Sequence, residues 1–117
     1  MRIRLRPAHD DESLSRIYAT PHDHTLWLDH KLRVAVTVAF ARALNGHVPV
    51  AADLSCGDGA ILNGIDADVR HLGDLAPGYP IQGPIEQTIH QIPDVDLYVC
   101  SETIEHLDDP DTVLKLI

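Results

Sequence analysis

The chain has 117 residues, a length that suits one small domain with a modest core and leaves no room for a second. Its 9 Lys and Arg residues against 18 Asp and Glu residues give a formal charge of -9, which disfavours a nucleic-acid backbone as a partner. The sequence has two cysteines, and it shows no secretory leader pattern and no apolar run of bilayer-spanning length. We therefore predict a reduced, cytoplasmic protein that does not enter a membrane.

The first 47 residues are predicted to be helical. A helix-compatible stretch follows Asp10 and Asp11 and ends at Thr20-Pro21, because the residue before a proline is pushed out of the helical region. Thr25 then suits the N-cap of a long helix that Asn45-Gly46 ends. The apolar residues of this helix recur at helical spacing: Leu28, Leu32, Ala35, Ala39, Ala43 and Leu44.

The middle of the chain predicts buried strands. The run from Val48 to Leu54 is continuously apolar rather than alternating, which is typical of a parallel strand covered on both faces by helices. A short helix is expected from Gly59 to about Ile65, and further strands over Val69–Leu75 and Val95–Cys100. The type of the element over Ile81–Ile89 stays open. This order predicts an α/β, Rossmann-like, mostly parallel sheet with flanking helices.

The C-terminal residues predict a helix that starts at a strong cap. Asp109 suits the N-cap position and Pro110 the first helical position. Four apolar side chains follow among the last five residues: Val113, Leu114, Leu116 and Ile117. We therefore expect the sheet to be incomplete, with the sequence truncated or with this end covered by a partner, self-association included.

A short segment at the end of the first strand carries the clearest binding signal. Asp53 closes the strand, and Gly57-Asp58-Gly59 opens the next helix. Glycines let the backbone approach a ligand, and the N–H groups at the start of a helix favour a carboxylate or phosphate. A Gly-x-Gly turn alone is equally typical of a tight structural corner. Asp74 at the next predicted strand end favours the binding interpretation.

Two segments carry a family resemblance. Asp53–Gly59 (DLSCGDG) resembles the first motif of class I S-adenosylmethionine-dependent methyltransferases, and Asp96–Leu107 (DLYVCSETIEHL) resembles their fourth-strand motif. The resemblance covers residues 48 to 117, without the family's three later strands. It implies O- or N-methylation of an unidentified acceptor, with a small molecule favoured. The cofactor-binding residues that it implies are Asp53, Ser55, Cys56, Gly57, Gly59, Asp74, Ile85 and Ser101.

One stretch departs from the family. Its members often recognise adenine with an acid after a glycine near the third strand, whereas Gly83 is followed here by Pro84. The backbone N–H of Ile85 or the carboxylate of Glu86 would then take over the recognition of adenine. Glu86 as a solvated surface residue is an equal alternative.

The pattern Glu102-x-x-Glu105-His106 gives the predicted catalytic residues. On a helix these side chains would share a face, so that two carboxylates and an imidazole converge on a divalent metal or a substrate hydroxyl. The pattern is similar to that of ubiquinone-biosynthesis and small-RNA methyltransferases, where it binds a divalent metal. The alternative is a polar pocket rim in which His106 acts as a general base or as a hydrogen-bond partner.

Residues 1–47 are predicted to form a helical lid over a partial cofactor-binding domain at 48–117. The lid candidates, which lie in or near a His- and Asp-rich stretch, are Tyr18, His22, His24 and Trp27. A metal at His22 and His24 is an alternative, although their spacing matches no standard zinc signature. Trp27 as a core residue is another.

Three other interpretations concern function and the thiols. The chain is alternatively a catalytically silent, truncated domain that binds a partner through its sheet edge and terminal helix. A nicotinamide-dependent oxidoreductase is a weaker hypothesis, because Leu62 stands where the dinucleotide fingerprint needs its third glycine. Cys56 and Cys100 are expected to be thiols in the pocket wall rather than nucleophiles.

Overall fold

The computed structural model describes residues 28–117 together with Glu12, Ser13, Arg16 and Ala19. Of these four, Glu12, Ser13 and Arg16 are helical; the predicted cap at Thr25 lies outside the described residues. The helices are α1 (Leu28–Asn45), α2 (Ala60–Gly64), α3 (Ile85–Thr88) and α4 (Pro110–Leu116), and the strands are β1 (Val48–Asp53), β2 (Ala67–Asp74), β3 (Ile81–Gln82) and β4 (Leu97–Tyr98). Single 3₁₀ turns lie at Ile89–Gln91 and Ile104–His106.

The four strands form one parallel sheet in the order β3-β2-β1-β4. Strand β1 is central: Val48 pairs with Ala67 of β2, and Ala51 pairs with Leu97 of β4. The chain moves outward from β1 to β3 on one side and then returns to place β4 on the other. The predicted fold class, a Rossmann-like α/β sheet flanked by helices, is therefore confirmed.

Both faces of the sheet are covered, as the continuous apolar run of β1 predicts. In β4, Leu97 packs against the cluster formed with α1 and α2, whereas Tyr98 packs against the cluster that includes α3 and α4. Successive strand residues point to opposite faces, so these clusters lie on the two sides of the sheet. Leu62 in the first cluster and Val113 in the second are both fully enclosed.

Several element boundaries differ from the prediction. Strand β2 begins at Ala67, two residues earlier than expected, because its pairing with β1 starts opposite Val48. The undecided stretch 81–89 contains both a strand, β3, and a helix, α3. Gly83, with a φ of 139°, and Pro84 separate the two. Of the strand predicted over residues 95–100, Leu97–Tyr98 forms β4, and the N–H groups of Asp96 and Val99 on either side donate to Val50 O and Ala52 O of β1.

The predicted helix ends are confirmed where they fall on described residues. Helix α1 ends at Asn45, and Gly46 follows in the left-handed conformation and donates its N–H to Arg42 O at 2.9 Å. Asp109 caps α4, since its Oδ1 accepts the Thr112 N–H at 3.2 Å, with Pro110 at the first position. Within the described part of the chain, no helix has the length and apolar character needed to cross a membrane.

Candidate functional site

A cavity of about 280 Å³ opens at the carboxyl edge of the sheet, between the ends of β1 and β4. This is the point at which the strand order reverses, where open α/β sheets bind ligands. Its walls come from the loops after β1, β2 and β4, from the turn before α3, and from the start of α1. The predicted cofactor residues that line it are Asp53, Ser55, Cys56, Gly57, Asp74, Ile85 and Ser101.

The loop after β1, residues 54–59, is held by the neighbouring strand. The N–H of Cys56 donates to Gly73 O at 2.9 Å, and the N–H of Gly57 donates to Asp74 Oδ2 at 2.8 Å. Gly57 has a φ of 58°, and a Cβ at this position would meet no heavy atom within 4 Å. The backbone conformation therefore favours glycine, and the space beside it stays open to the cavity.

Gly59 lies in close packing between α2 and β2. It is buried and does not line the cavity. With its φ of 74°, a Cβ here would lie 3.1 Å from both Asn63 Nδ2 and Leu72 Cδ2. This glycine therefore permits close packing of α2 against β2, and its contact with the cofactor stays a prediction.

Asp53 is buried at the end of β1, with 2 % of its surface exposed. Its Oδ1 accepts the N–H of Ser55 at 3.0 Å and the Ser55 hydroxyl at 3.3 Å. Burial raises the pKa of Asp53 to about 7; the nearby Asp74 charge adds to the rise, and the Ser55 hydrogen bonds oppose it. The carboxyl group can therefore exchange a proton near neutral pH.

Asp74 accepts hydrogen bonds from the loop after β1 and from the loop after β2. Besides the bond from Gly57, its Oδ1 accepts the N–H of Ala76 at 2.9 Å. A carboxylate oxygen has two acceptor sites, so these bonds leave acceptor capacity toward the cavity that Asp74 lines. Its binding of ribose hydroxyls stays a prediction.

Two hydroxyl groups join the loops on either side of the cavity. Thr103 Oγ1, in the loop after β4, donates to Ser55 Oγ at 2.6 Å and lies 3.1 Å from Ser101 O. Ser55 in turn contacts Asp53. The chain of contacts therefore runs from the loop after β4 to the buried carboxyl at the end of β1.

Helix α1 contributes a buried histidine that the local sequence did not indicate. His30 Nε2 lies 2.8 Å from Asp58 Oδ2, and Arg33 Nη2 lies 2.8 Å from His30 Nδ1. A guanidinium only donates, so Nδ1 accepts and Nε2 carries the proton that is donated to Asp58. Asp58 also accepts the Ala60 N–H at 3.0 Å. The sequence signal that could have indicated this contact is the spacing of three residues, which places His30 and Arg33 on one face of the helix.

The three predicted catalytic residues do not share a helical face. The 3₁₀ turn begins only at Ile104, and Glu102 has a φ of 53° and forms an ion pair with Arg33 Nη1. Glu102 and His106 line the cavity, whereas Glu105 does not; His106 Nε2 lies 3.9 Å from Glu105 Oε1. Among the described residues, no three His, Cys, Asp or Glu side chains are placed to hold a metal ion. The structure thus does not assemble the hypothetical metal site.

The two cysteines are free thiols, as expected. Burial raises the pKa of Cys56 to about 12, and the charges of Asp53 and Asp74 add to the rise. Burial likewise raises the pKa of Cys100. Neither thiol is therefore activated as a thiolate nucleophile.

The lid candidates Tyr18, His22, His24 and Trp27 lie outside the described residues, and so does the alternative metal pair. The described lining is strongly acidic, with six carboxylate side chains and a single guanidinium, that of Arg33. The carboxylates belong to Asp29, Asp53, Asp58, Asp74, Glu86 and Glu102.

Comparison of the chain with protein-family models, with curated proteins and with solved structures finds no match.

Proposed function

We propose that this chain binds S-adenosylmethionine in the cavity and serves the transfer of its methyl group to an acceptor, by O- or N-methylation of a small molecule. The observation that carries the proposal is the position of the glycine loop. It lies at the switch point of a parallel sheet, with Asp53 and Asp74 at the ends of the two adjoining strands.

The charge of the cavity supports a cationic ligand. S-adenosylmethionine carries a sulfonium and an ammonium group. Six acidic side chains against one guanidinium favour such cations over an anion, even with Asp53 partly protonated near pH 7. A nicotinamide dinucleotide instead carries a pyrophosphate, which such sites place at a helix N-terminus. Here Asp58 Oδ1 already accepts the Ala60 N–H at the start of α2. The oxidoreductase hypothesis is therefore disfavoured.

The lining residues suit the parts of this cofactor. The open space beside Gly57 would accommodate the methionine part next to the carboxyl of Asp53, and Asp74 would accept hydrogen bonds from the ribose hydroxyls. Ile85 is buried beside Glu86 in the same wall, and these two residues would border adenine. The bound sulfonium would supply an electrophilic methyl group.

The chain's own chemical contribution would be alignment, exclusion of water and removal of one proton. His106 lines the cavity from the loop after β4, and an imidazole is the usual side chain for accepting a proton from a hydroxyl or amine. Glu102, because it pairs with Arg33, is not proposed as a base.

The test is calorimetric titration of S-adenosylmethionine and S-adenosylhomocysteine into the purified chain, with NAD⁺ as the control ligand. We expect saturable binding of the first two and none of the third. Circular dichroism before the titration establishes that the chain is folded. A folded chain that binds neither adenosyl compound, or that binds NAD⁺ equally well, would contradict the proposal.

An interaction module is the second candidate function, and one observation favours it. Helix α1 exposes a stripe of large apolar side chains at a spacing of four residues, each more than half exposed: Leu28, Leu32, Val36, Phe40 and Leu44. Leu114, Leu116 and Ile117 add exposed apolar surface near the C-terminus. Such surfaces mark protein interfaces. Sedimentation at rising concentration tests self-association, with Phe40→Lys expected to abolish it.

A further inference from the structure

Arg33 is the one Lys or Arg among the described residues that line the cavity. Its guanidinium is positioned by a short chain of hydrogen bonds rather than left to move freely. Nη2 donates to His30 Nδ1, and His30 donates to Asp58, which lies between the two glycines of the loop. These hydrogen bonds connect the guanidinium of Arg33 on α1 to the glycine loop.

The partner of this cation is a carboxylate that can be replaced. Glu102 contacts Nη1, and its side chain is 63 % exposed, against 32 % for that of Arg33. An ion pair this exposed to water contributes little to stability. Glu102 is also the one non-glycine residue with a positive φ in the described part of the chain, a conformation that L-residues adopt at a cost.

The charges of the surrounding side chains make Arg33 the expected binding position for a carboxylate of the ligand. A ligand carboxylate entering a cavity with six protein carboxylates is repelled unless a cation meets it, and Arg33 is the cation available among the lining residues described. Since Glu102 already places a carboxylate on Nη1, the same position accepts a carboxylate from a ligand with the same geometry.

We infer that Arg33 binds the α-carboxylate of the amino-acid part of the bound ligand, and that this carboxylate replaces Glu102 on the guanidinium. The inference rests on the proposed function, because S-adenosylmethionine is the ligand that supplies the carboxylate. Arg33 is a binding residue in this account, and Glu102 is its internal competitor rather than a catalytic group.

The experiment compares S-adenosylmethionine with its decarboxylated analogue, which keeps the sulfonium and the amine. Calorimetry would measure both ligands on the wild-type chain and on Arg33→Gln, Glu102→Gln and Lys31→Gln. Lys31 lies on the same helix, is exposed and does not line the cavity, so it matches the charge change of Arg33→Gln.

We expect Arg33→Gln to lower the affinity for S-adenosylmethionine about ten- to hundredfold, which is typical of the loss of a hydrogen bond to a charged group. The affinity for the decarboxylated analogue should change little. Glu102→Gln should strengthen the binding of S-adenosylmethionine severalfold relative to that of the analogue, which loses one favourable carboxylate from the cavity and gains no contact with Arg33. Because Glu102 is exposed, this variant keeps the test decisive even if Arg33→Gln fails to fold. Lys31→Gln should change neither affinity.

Two results would overturn the inference in different ways. If the wild-type chain binds neither ligand, the proposed function fails and the inference fails with it. If both ligands bind, and Arg33→Gln weakens them equally or not at all, the inference alone is overturned and the cofactor site stands. An unchanged ratio of the two affinities in Glu102→Gln would overturn the exchange of carboxylates.

Discussion

His30 Nε2 donates to Asp58 Oδ2 at 2.8 Å, and this bond joins the helix before the sheet to the glycine loop after its first strand. Asp58 uses its other oxygen for the N–H of Ala60, the first residue of α2, so one side chain contacts both α1 and α2. His30 is buried, and its second nitrogen accepts from Arg33. The arrangement makes the position of α1 and the shape of the cavity depend on each other.

Replacing His30 with alanine should therefore destabilise the domain. The change removes the partner of Asp58 and of Arg33 at a buried position, which costs about 1–3 kcal/mol. Urea unfolding measures the free energy of unfolding. The control is His90→Ala, because His90 is exposed and should change stability by less than about 0.5 kcal/mol. Equal losses in the two variants would show that the bonds of His30 contribute nothing.

Asp53 should make stability fall as the pH rises toward neutrality. Its pKa in the folded state is about 7, above its ordinary value of 3.8, so the folded chain retains a proton that the unfolded chain releases. The stabilisation is complete below pH 4 and is lost as the pH passes 7. Asp53→Asn keeps an oxygen acceptor and cannot ionise, so its stability relative to wild type should rise with pH, by up to about 4 kcal/mol.

The measurement for Asp53 is urea unfolding of both chains at pH 5, 6, 7 and 8. Asp94→Asn serves as the control, since Asp94 is exposed. A difference between Asp53→Asn and wild type that stays constant across this range would refute a raised pKa for the buried carboxyl.

Gly57→Ala should weaken cofactor binding without an exceptional loss of stability. Gly57 and Gly46 share a left-handed φ, 58° and 60°, and neither would bring a Cβ within 4 Å of another heavy atom. Alanine at either position should cost about 1–2 kcal/mol in backbone conformation. Only Gly57 lines the cavity, so only its variant should lower the affinity for S-adenosylmethionine, and by at least about tenfold. Equal affinities in the two variants would place the ligand elsewhere.

Thr103→Val should remove the hydrogen bond that joins the loop after β4 to the glycine loop. The hydroxyl donates to Ser55 Oγ at 2.6 Å, and its loss should cost about 1 kcal/mol in the free energy of unfolding. Thr103→Ser keeps the hydroxyl and should retain most of the stability. Denaturant unfolding compares the three chains. Should valine be as stable as the wild type, the hydrogen bond from Thr103 would contribute nothing to stability.

Local patterns in the sequence predicted the elements well where one short segment decides the structure. The apolar run of β1 predicted a strand covered on both faces, and Asp109-Pro110 predicted the start of α4. The shared face of Glu102, Glu105 and His106 was conditional on a helix over these residues, and the structure does not meet that condition. The pattern 102–106 assumed continuous helix, but an ion pair with Arg33 holds Glu102 before the turn begins, and spacing within the segment carries no information about that partner.

The sequence by itself determined the parallel α/β class and the acids and glycines that end its strands. These properties follow from hydrophobic periodicity and from backbone conformations that few residues adopt. Only the tertiary structure decided which side chains meet: His30 with Asp58, Arg33 with Glu102, and Thr103 with Ser55. Each pair joins elements far apart in the chain, so its formation depends on how the sheet and helices pack rather than on any local pattern.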